Sequence, residues 1–312
     1  MRPQRKLHLL ALSFALGATS NALADGAFTS IDFPGAASTM AWGITANGDI
    51  TGFYVSADKA THGFLLSRGQ YVSIDFPGAA FTEANGMSPR GDIIGDYAAT
   101  LDGSGPHHGF VLSREGTFTT IDYPGATSSF ALGMNSRGDI LGQYKFDAAS
   151  WQNGANVNHN FLMSGSQFSA LGLFSTIDDV LPAGGATVLI GFHGGDIVGA
   201  YTGADNVSHG FVLSDGQVTT IDYPGGASFT NATNIDSRGE VVGRYTLNGV
   251  THAYLMSGGQ FSSFDYPGAT FTGATAISTR GDIVGRWRDS KNVFHGFLLT
   301  GFRQANLCIA GN

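Results

Sequence analysis

The sequence has one cysteine, few charges and, past its first two dozen residues, no long hydrophobic run. Cys308 alone can form no internal disulfide, so a fold in an oxidising compartment must be held by packing. As an odd cysteine it is either a free thiol or an intermolecular link, and nothing beside it in sequence activates it, which favours the inert thiol. Charged residues make up only 13% of the chain, with 16 Lys and Arg against 24 Asp and Glu, a net charge of −8. That sign disfavours nucleic acid and anionic membranes as partners. No phosphate-binding loop, nucleophile elbow, zinc motif or dinucleotide fingerprint occurs. No stretch beyond the first segment keeps a helical period, which excludes a helical bundle.

What is present begins with a leader. Arg2, Arg5 and Lys6 precede an apolar run from Leu7 to Ala18, and Ala22-Leu23-Ala24 then precedes Asp25. This is the layout of a secretory signal peptide cleaved after Ala24, and the run is too short to span a bilayer. Residues 1–24 are therefore expected to be removed, with residues 25–312 a single secreted domain, periplasmic or extracellular. Cleavage takes away three basic residues and no acidic one, so the remaining chain is more acidic still.

Glycine is abundant, at 46 residues, but it recurs at fixed places and 42% of the chain is apolar, which argues against disorder. Ile31-Asp32-Phe33-Pro34-Gly35 returns at Ile74, Ile121 and Ile221, as Phe264-Asp265-Tyr266-Pro267-Gly268, and in degenerate form at Ile177-Asp178. Successive Asp positions lie 43, 47, 56, 44 and 43 residues apart. A Gly-Asp-Ile segment recurs at Gly48, Gly91, Gly138, Gly195, Gly239 (with Glu240) and Gly281, and a third segment begins at His62, His108, His159, His209, His252 and His295. Six units follow.

Each unit holds four short apolar runs between turn residues; in the second these are 81–88, 92–97, 108–113 and 118–123. Four strands per unit of 40 to 50 residues predict an all-β fold, a six-bladed β-propeller of four-stranded blades. Ala84, Gly86, Ala131, Gly133, Ala274 and Ala276 in the first strands suit the crowded centre. The last unit lacks a fourth strand, and an orphan one, Phe28 to Phe33, precedes the first unit. The N-terminal strand is therefore expected to complete the last blade and close the ring. A stacked open array is the alternative.

Arg68-Gly69, Asp215-Gly216 and Gly258-Gly259 read as two-residue hairpins. Counting across them places His62 opposite Asp75, His209 opposite Asp222 and His252 opposite Asp265; the three-residue turn at 114–116 places His108 opposite Asp122, and closure brings His295 to Asp32. His159 fits less simply. If Gly165-Ser166 is a tight turn it faces Gly172; if Phe174 to Asp178 is the fourth strand it has Asp178. The equal distances from Ile177 to Gly195 and from Ile221 to Gly239, 18 residues, favour the second. A His-Asp pair suggests a general base, but a pair repeated in nearly every unit is expected to be a buried structural link. Six histidines in separate blades do not converge on a metal. The Arg-Gly-Asp strings at 90–92, 137–139 and 280–282 lie in hairpins, where turn chemistry accounts for them.

Departures from the repeat are the better functional clues. The fourth unit brings Asp178, Asp179 and His193, which with His107 lies outside the repeated histidine position. The loop before it carries Asp147, Trp151, Asn153, Asn156 and Asn158, and a Trp with amide side chains suits a sugar ring. A decayed repeat with a tolerated insertion is the bland alternative. Asp102, Asp147 and Asp205 in equivalent loops could ligate calcium, but no copy has the full acidic spacing of a calcium loop, so the expectation is no cofactor with calcium as the alternative.

The repeated His-Gly-Phe, Gly-Asp-Ile and Ile-Asp-[Phe/Tyr]-Pro-Gly-Ala strings resemble those of the extracellular HAF-repeat family, named for a His-Ala-Phe triplet. Here the triplet stands as His-Gly-Phe four times, as His159-Asn160-Phe161 and as His252-Ala253-Tyr254. The resemblance covers residues 25–312; it implies secretion and repeat architecture and no catalytic residues. The function expected is a non-catalytic binding or scaffold protein, monomeric, not inserted in a membrane, with a polysaccharide or cell-surface glycan as partner. The alternative is an extracellular hydrolase or lyase whose site lies at the axis or at the fourth unit, on Asp178, Asp179 and His193.

Overall fold

Turn chemistry cuts the chain into short strands before packing arranges them. The computed structural model describes residues 26–146, 159–164, 167–170 and 187–303, and strand is the only regular element among them. The leader, Cys308 and the loop residues Asp147, Trp151, Asn153, Asn156, Asn158, Asp178 and Asp179 lie outside the described residues. In the order of the chain β1 (Ala27–Ile31) is followed by β2 (Ser38–Ile44), β3 (Ile50–Val55), β4 (Thr61–Ser67) and β5 (Gln70–Ile74). Then come β6 (Phe81–Met87), β7 (Ile93–Ala98), β8 (His107–Leu112), β9 (Phe118–Ile121), β10 (Ser128–Met134), β11 (Ile140–Lys145), β12 (His159–Ser164) and β13 (Gln167–Ala170). The rest are β14 (Thr187–His193), β15 (Asp196–Thr202), β16 (Ser208–Ser214), β17 (Gln217–Ile221), β18 (Phe229–Ile235), β19 (Val241–Leu247), β20 (Val250–Ser257), β21 (Gln260–Phe264), β22 (Phe271–Ile277), β23 (Ile283–Arg288) and β24 (Phe294–Thr300).

Consecutive strands pair antiparallel from β2 to β5, β6 to β9, β10 to β13, β14 to β17 and β18 to β21. The run β22-β23-β24 takes its outer strand from the far end of the chain: β1 pairs with β24, Ala27 facing Thr300 and Ile31 facing Gly296. The ladders form three sheets of 12, 8 and 4 strands, joined within the larger two by single parallel bridges such as Thr61 to Phe81. The first strands touch in cyclic order, β2 to β6, β10, β14, β18, β22 and back to β2. Across that last contact the Thr275 hydroxyl donates to the Ala41 carbonyl at 2.8 Å.

The hairpins form where the turn residues accept positive φ. Arg68 and Gly69 have φ of 51° and 77°, the paired left-handed geometry that matches strand twist. One expectation is corrected. β13 runs over Gln167–Ala170 with Gln167 facing Ser164, so the strand after β12 follows a two-residue connection and does not begin at Phe174. A two-residue loop closes with less entropy loss than one of about nine.

The repeated triplet divides its labour. The aromatic third residues Phe64, Phe110, Phe161, Phe211, Tyr254 and Phe297 are all fully buried and seed the clusters between neighbouring strand groups. Burying each stabilises by roughly 1.5–3 kcal/mol. The histidine two residues earlier shares that face and ends a stack of rings: Phe33 on Tyr54 at 3.7 Å and Tyr54 on His62 at 5.0 Å. The same column recurs as Phe76-Tyr97-His108, Tyr123-Tyr144-His159, Tyr223-Tyr245-His252 and Tyr266-Trp287-His295.

Candidate functional site

The repeated His and Asp residues meet in space. Nδ1 lies 2.6 Å from the carboxylate in His62–Asp75, 2.9 Å in His108–Asp122 and 2.7 Å in His209–Asp222, His252–Asp265 and His295–Asp32. They are not buried links: Asp75 and Asp222 are half exposed, 51% and 55%. The pair faces water because it caps the outer end of the aromatic column. His159 stacks on Tyr144, and its expected partner Asp178 lies outside the described residues. Asp102 accepts from Ser104, and Asp205 from Val207 N and His209, so both carboxylates serve their own turns. Among the described residues no three His, Cys, Asp or Glu gather to hold a metal. The Asp139 carboxylate of one Arg-Gly-Asp string is taken up by Ser164, Asn135 and Arg137, which hold its pKa at about 2.

Two cavities flank the first strands. One, of about 450 Å³, lies at their C-terminal ends and is lined by the repeated turns, with Asn47, Ser88, Asn135, Ser278 and His193 on its wall. Its lining mostly follows from turn chemistry. The other, of about 400 Å³, lies toward their N-terminal ends and within the range of small-molecule sites.

A bulge in each first strand builds this second cavity. The register with the second strand skips one residue between Ala41 and Gly43, Ala84 and Gly86, Ala131 and Gly133, Leu189 and Gly191, Ala232 and Asn234, and Ala274 and Ala276. The six extra residues, Trp42, Asn85, Leu132, Ile190, Thr233 and Thr275, all line the pocket. A bulge re-aims a side chain without ending the strand, and here it does so six times toward one point.

Around that ring the repeat stops repeating. Glu83 on β6 faces Asp96 on β7; the equivalent cross-strand pairs are Met40–Phe53, Phe130–Gln143, Val188–Ala200, Asn231–Arg244 and Gly273–Arg286. Gly95, beside Asp96, lets the strands approach: a Cβ there would collide with the Glu83 carbonyl oxygen and the Phe110 ring. Asp96 is buried, accepts from Asn85 Nδ2 at 2.8 Å and lies 2.7 Å from His107 Nδ1. The other ring nitrogen, Nε2, is 2.7 Å from the Gly103 carbonyl. A carbonyl only accepts, so Nε2 carries a proton, and both nitrogens of His107 are occupied. The ring sits between Phe81 at 5.2 Å and Phe130 at 4.8 Å. Burial works against its charged form, but the hydrogen bond and charge of Asp96 outweigh that and raise its pKa. Burial lifts the Glu83 carboxyl well above the usual carboxylate range, Asp96 adds to the shift and Arg286 opposes it.

Of the sequence candidates, His193 lines the opposite cavity and His107 helps shape this one. Glu83, Asn85, Asp96 and Trp42 were not singled out from sequence. The signal for Asp96 lies in the second-strand string Gly-x-[Tyr/Trp], whose middle residue reads Phe53, Asp96, Gln143, Ala200, Arg244 and Arg286.

No protein-family model matches the chain, and no curated protein sequence does. Solved structures do. The lectin of Aleuria aurantia in complex with Fucα1-6GlcNAc aligns at 12% identity and a TM-score of 0.52, over 84% of this chain and 91% of that one. AofleA from Arthrobotrys oligospora aligns at 10% identity and 0.55, over 89% and 88%. A gluconolactonase from Xanthomonas campestris aligns at 11% and 0.52, over 89% and 90%. Likeness at such identities shows the fold: all-β and propeller-like. That fold carries a lectin in one case and an enzyme in another, so function has to be argued from the site.

Proposed function

We propose that the chain is a secreted carbohydrate-binding protein of the HAF-repeat type, a closed six-bladed propeller of four-stranded blades with one sugar site in the pocket ringed by the six bulges. The observation that carries this reading is the composition of that pocket. The rings of Trp42, Phe81 and Phe130 line it next to Asn85, Glu83, Asp96 and Thr275, the mixture of aromatic and hydrogen-bonding groups that suits a sugar. The framework calls for neither Glu83 nor Asp96, since the position of Glu83 holds Met40 or Gly273 in other strand groups and that of Asp96 holds Phe53 or Ala200. The cyclic contacts of the first strands and the β1–β24 pairing support closure, which leaves no open outer edge on the last blade. The leader supports export. The Aleuria aurantia lectin supports the reading by analogy alone, as a similar fold crystallised with a fucosylated sugar.

The hydrolase reading has one observation in its favour, a Glu83 carboxyl kept protonated above the ordinary range, as a general acid requires. It lacks a base at His107, whose nitrogens are both engaged. Titration of the exported protein against a panel of neutral and acidic polysaccharides, with reducing ends assayed in each mixture, separates the two. Saturable binding weakened at least about tenfold in Trp42→Ala, without new reducing ends, is expected. Release of reducing ends that stops in Glu83→Gln establishes the hydrolase instead.

A further inference from the structure

Three arginines gather around one phenylalanine ring close to Trp42, outside the lining of the pocket itself. The guanidinium carbons of Arg244, Arg286 and Arg288 lie 5.8, 5.6 and 5.9 Å from the centre of one ring, Phe271. Arg286 also lies 5.3 Å from the Trp42 ring, which lines the pocket, and its charge acts on Glu83, which lines it too. Among the described residues no carboxylate comes within ion-pair distance of these three, whereas Arg137 and Arg238 each sit 2.8 Å from an aspartate. Among the described residues the side-chain hydrogen bonds of the three are long ones, Arg286 Nη1 to Met40 Sδ at 3.5 Å and Arg288 Nε to Thr270 Oγ1 at 3.4 Å.

An aromatic face supports a guanidinium but leaves its in-plane N–H edge unused, and that edge matches a carboxylate or sulfate. Burial and the Arg244 charge pull Arg286 down to about 10, with Glu83 opposing, so it stays charged at neutral pH. Buried charges without an ion pair are costly, and the framework does not need Arg244 or Arg286: the equivalent residues in the other strand groups are Phe53, Asp96, Gln143 and Ala200. They also stand against a chain whose net charge is −8, so a polyanion has no general attraction to it and needs a local site.

We infer that the pocket takes an anionic sugar, whose carboxylate or sulfate ester reaches past the edge of Trp42 to Arg286 and Arg244. The inference rests on the carbohydrate reading above and adds the class of sugar. Its test compares polymers that differ only in charge: polygalacturonate with the same polymer fully methyl-esterified, and dextran sulfate with dextran. Binding of at least one charged polymer roughly 10- to 100-fold tighter than its neutral counterpart is expected, a difference lost in Arg286→Gln and reduced in Arg244→Gln. Whichever charged polymer binds identifies the source of the anion. The comparison on the unaltered protein needs no variant, and melting curves show whether each variant is folded. Equal binding of charged and neutral polymers, weakened by Trp42→Ala but not by Arg286→Gln, overturns the inference and leaves the carbohydrate reading. If no polymer binds, both fall.

Discussion

Two places in the molecule join a histidine to an aspartate at the same distance, with opposite meanings. On the rim, His252 and Asp265 meet at 2.7 Å in half-open water, at the end of a ring stack that other strand groups repeat. At the pocket, His107 and Asp96 also meet at 2.7 Å, but both are buried and among the described residues no other strand group has their like. Repetition makes the first a fastener and singularity makes the second part of a site. The chemistry of a pair says less than how often the fold needs it.

That contrast can be broken or sharpened by substitution. The largest effect belongs to the frame: Gly95→Val drives a side chain into the Glu83 carbonyl and the Phe110 ring, and no folded protein is expected by circular dichroism. Next, Tyr245→Ala removes a buried ring stacked 3.4 Å from Tyr223 and hydrogen-bonded to Ser263, at a cost of about 3–5 kcal/mol in denaturant titration. Asp96→Ala leaves His107 and Asn85 buried without their acceptor, costing about 1–3 kcal/mol and deforming the pocket, so ligand affinity falls with it. His252→Ala, in contrast, is expected to cost only about 0.5–1 kcal/mol and to leave binding unchanged. Equal losses of binding from these two variants would erase the distinction between rim and pocket.

The buried pair also makes stability depend on pH. Asp96 raises the His107 pKa in the folded state above its unfolded value of about 6.5. The stabilisation is therefore complete below about pH 6.5 and is lost as pH rises through the folded value. Stability curves between pH 5 and 9 should show a smaller fall in His107→Gln than in the unaltered protein, the remainder belonging to His209, whose burial is outweighed by Asp222 and Asp205, which raise its pKa. A fall of the same size in His107→Gln would assign the effect elsewhere.

Much of the frame was legible in the sequence because hairpins reduce to counting. Once Arg68-Gly69 is a two-residue turn, His62 and Asp75 follow arithmetically, and so does the pairing of residues as distant as His295 and Asp32. Counting failed in two ways. The distance from Ile177 to Gly195 favours a loop of about nine residues after β12, whereas β12 and β13 close over two. The six bulges were invisible, because an inserted residue breaks the alternation on which face assignments depend. Trp42 and Asn85 therefore gave no sign of sharing a pocket. Asp96 and Arg286 sat in plain view at one position of the repeat, but a variable residue in a regular strand reads as tolerance until the fold shows where it points.

The pairing of β1 with β24 also sets the tempo at which the molecule can form. Each hairpin closes locally, within a few residues, and can form while the rest of the chain is loose. The His295–Asp32 contact spans 263 positions and needs the two ends of the chain brought together. Loop entropy adds little for such a span, since it grows only with the logarithm of length, but the topology makes this join a late event and a slow one. Until then, β24 presents an unpaired edge to solvent and to other copies of the chain, the condition under which strands exchange between molecules.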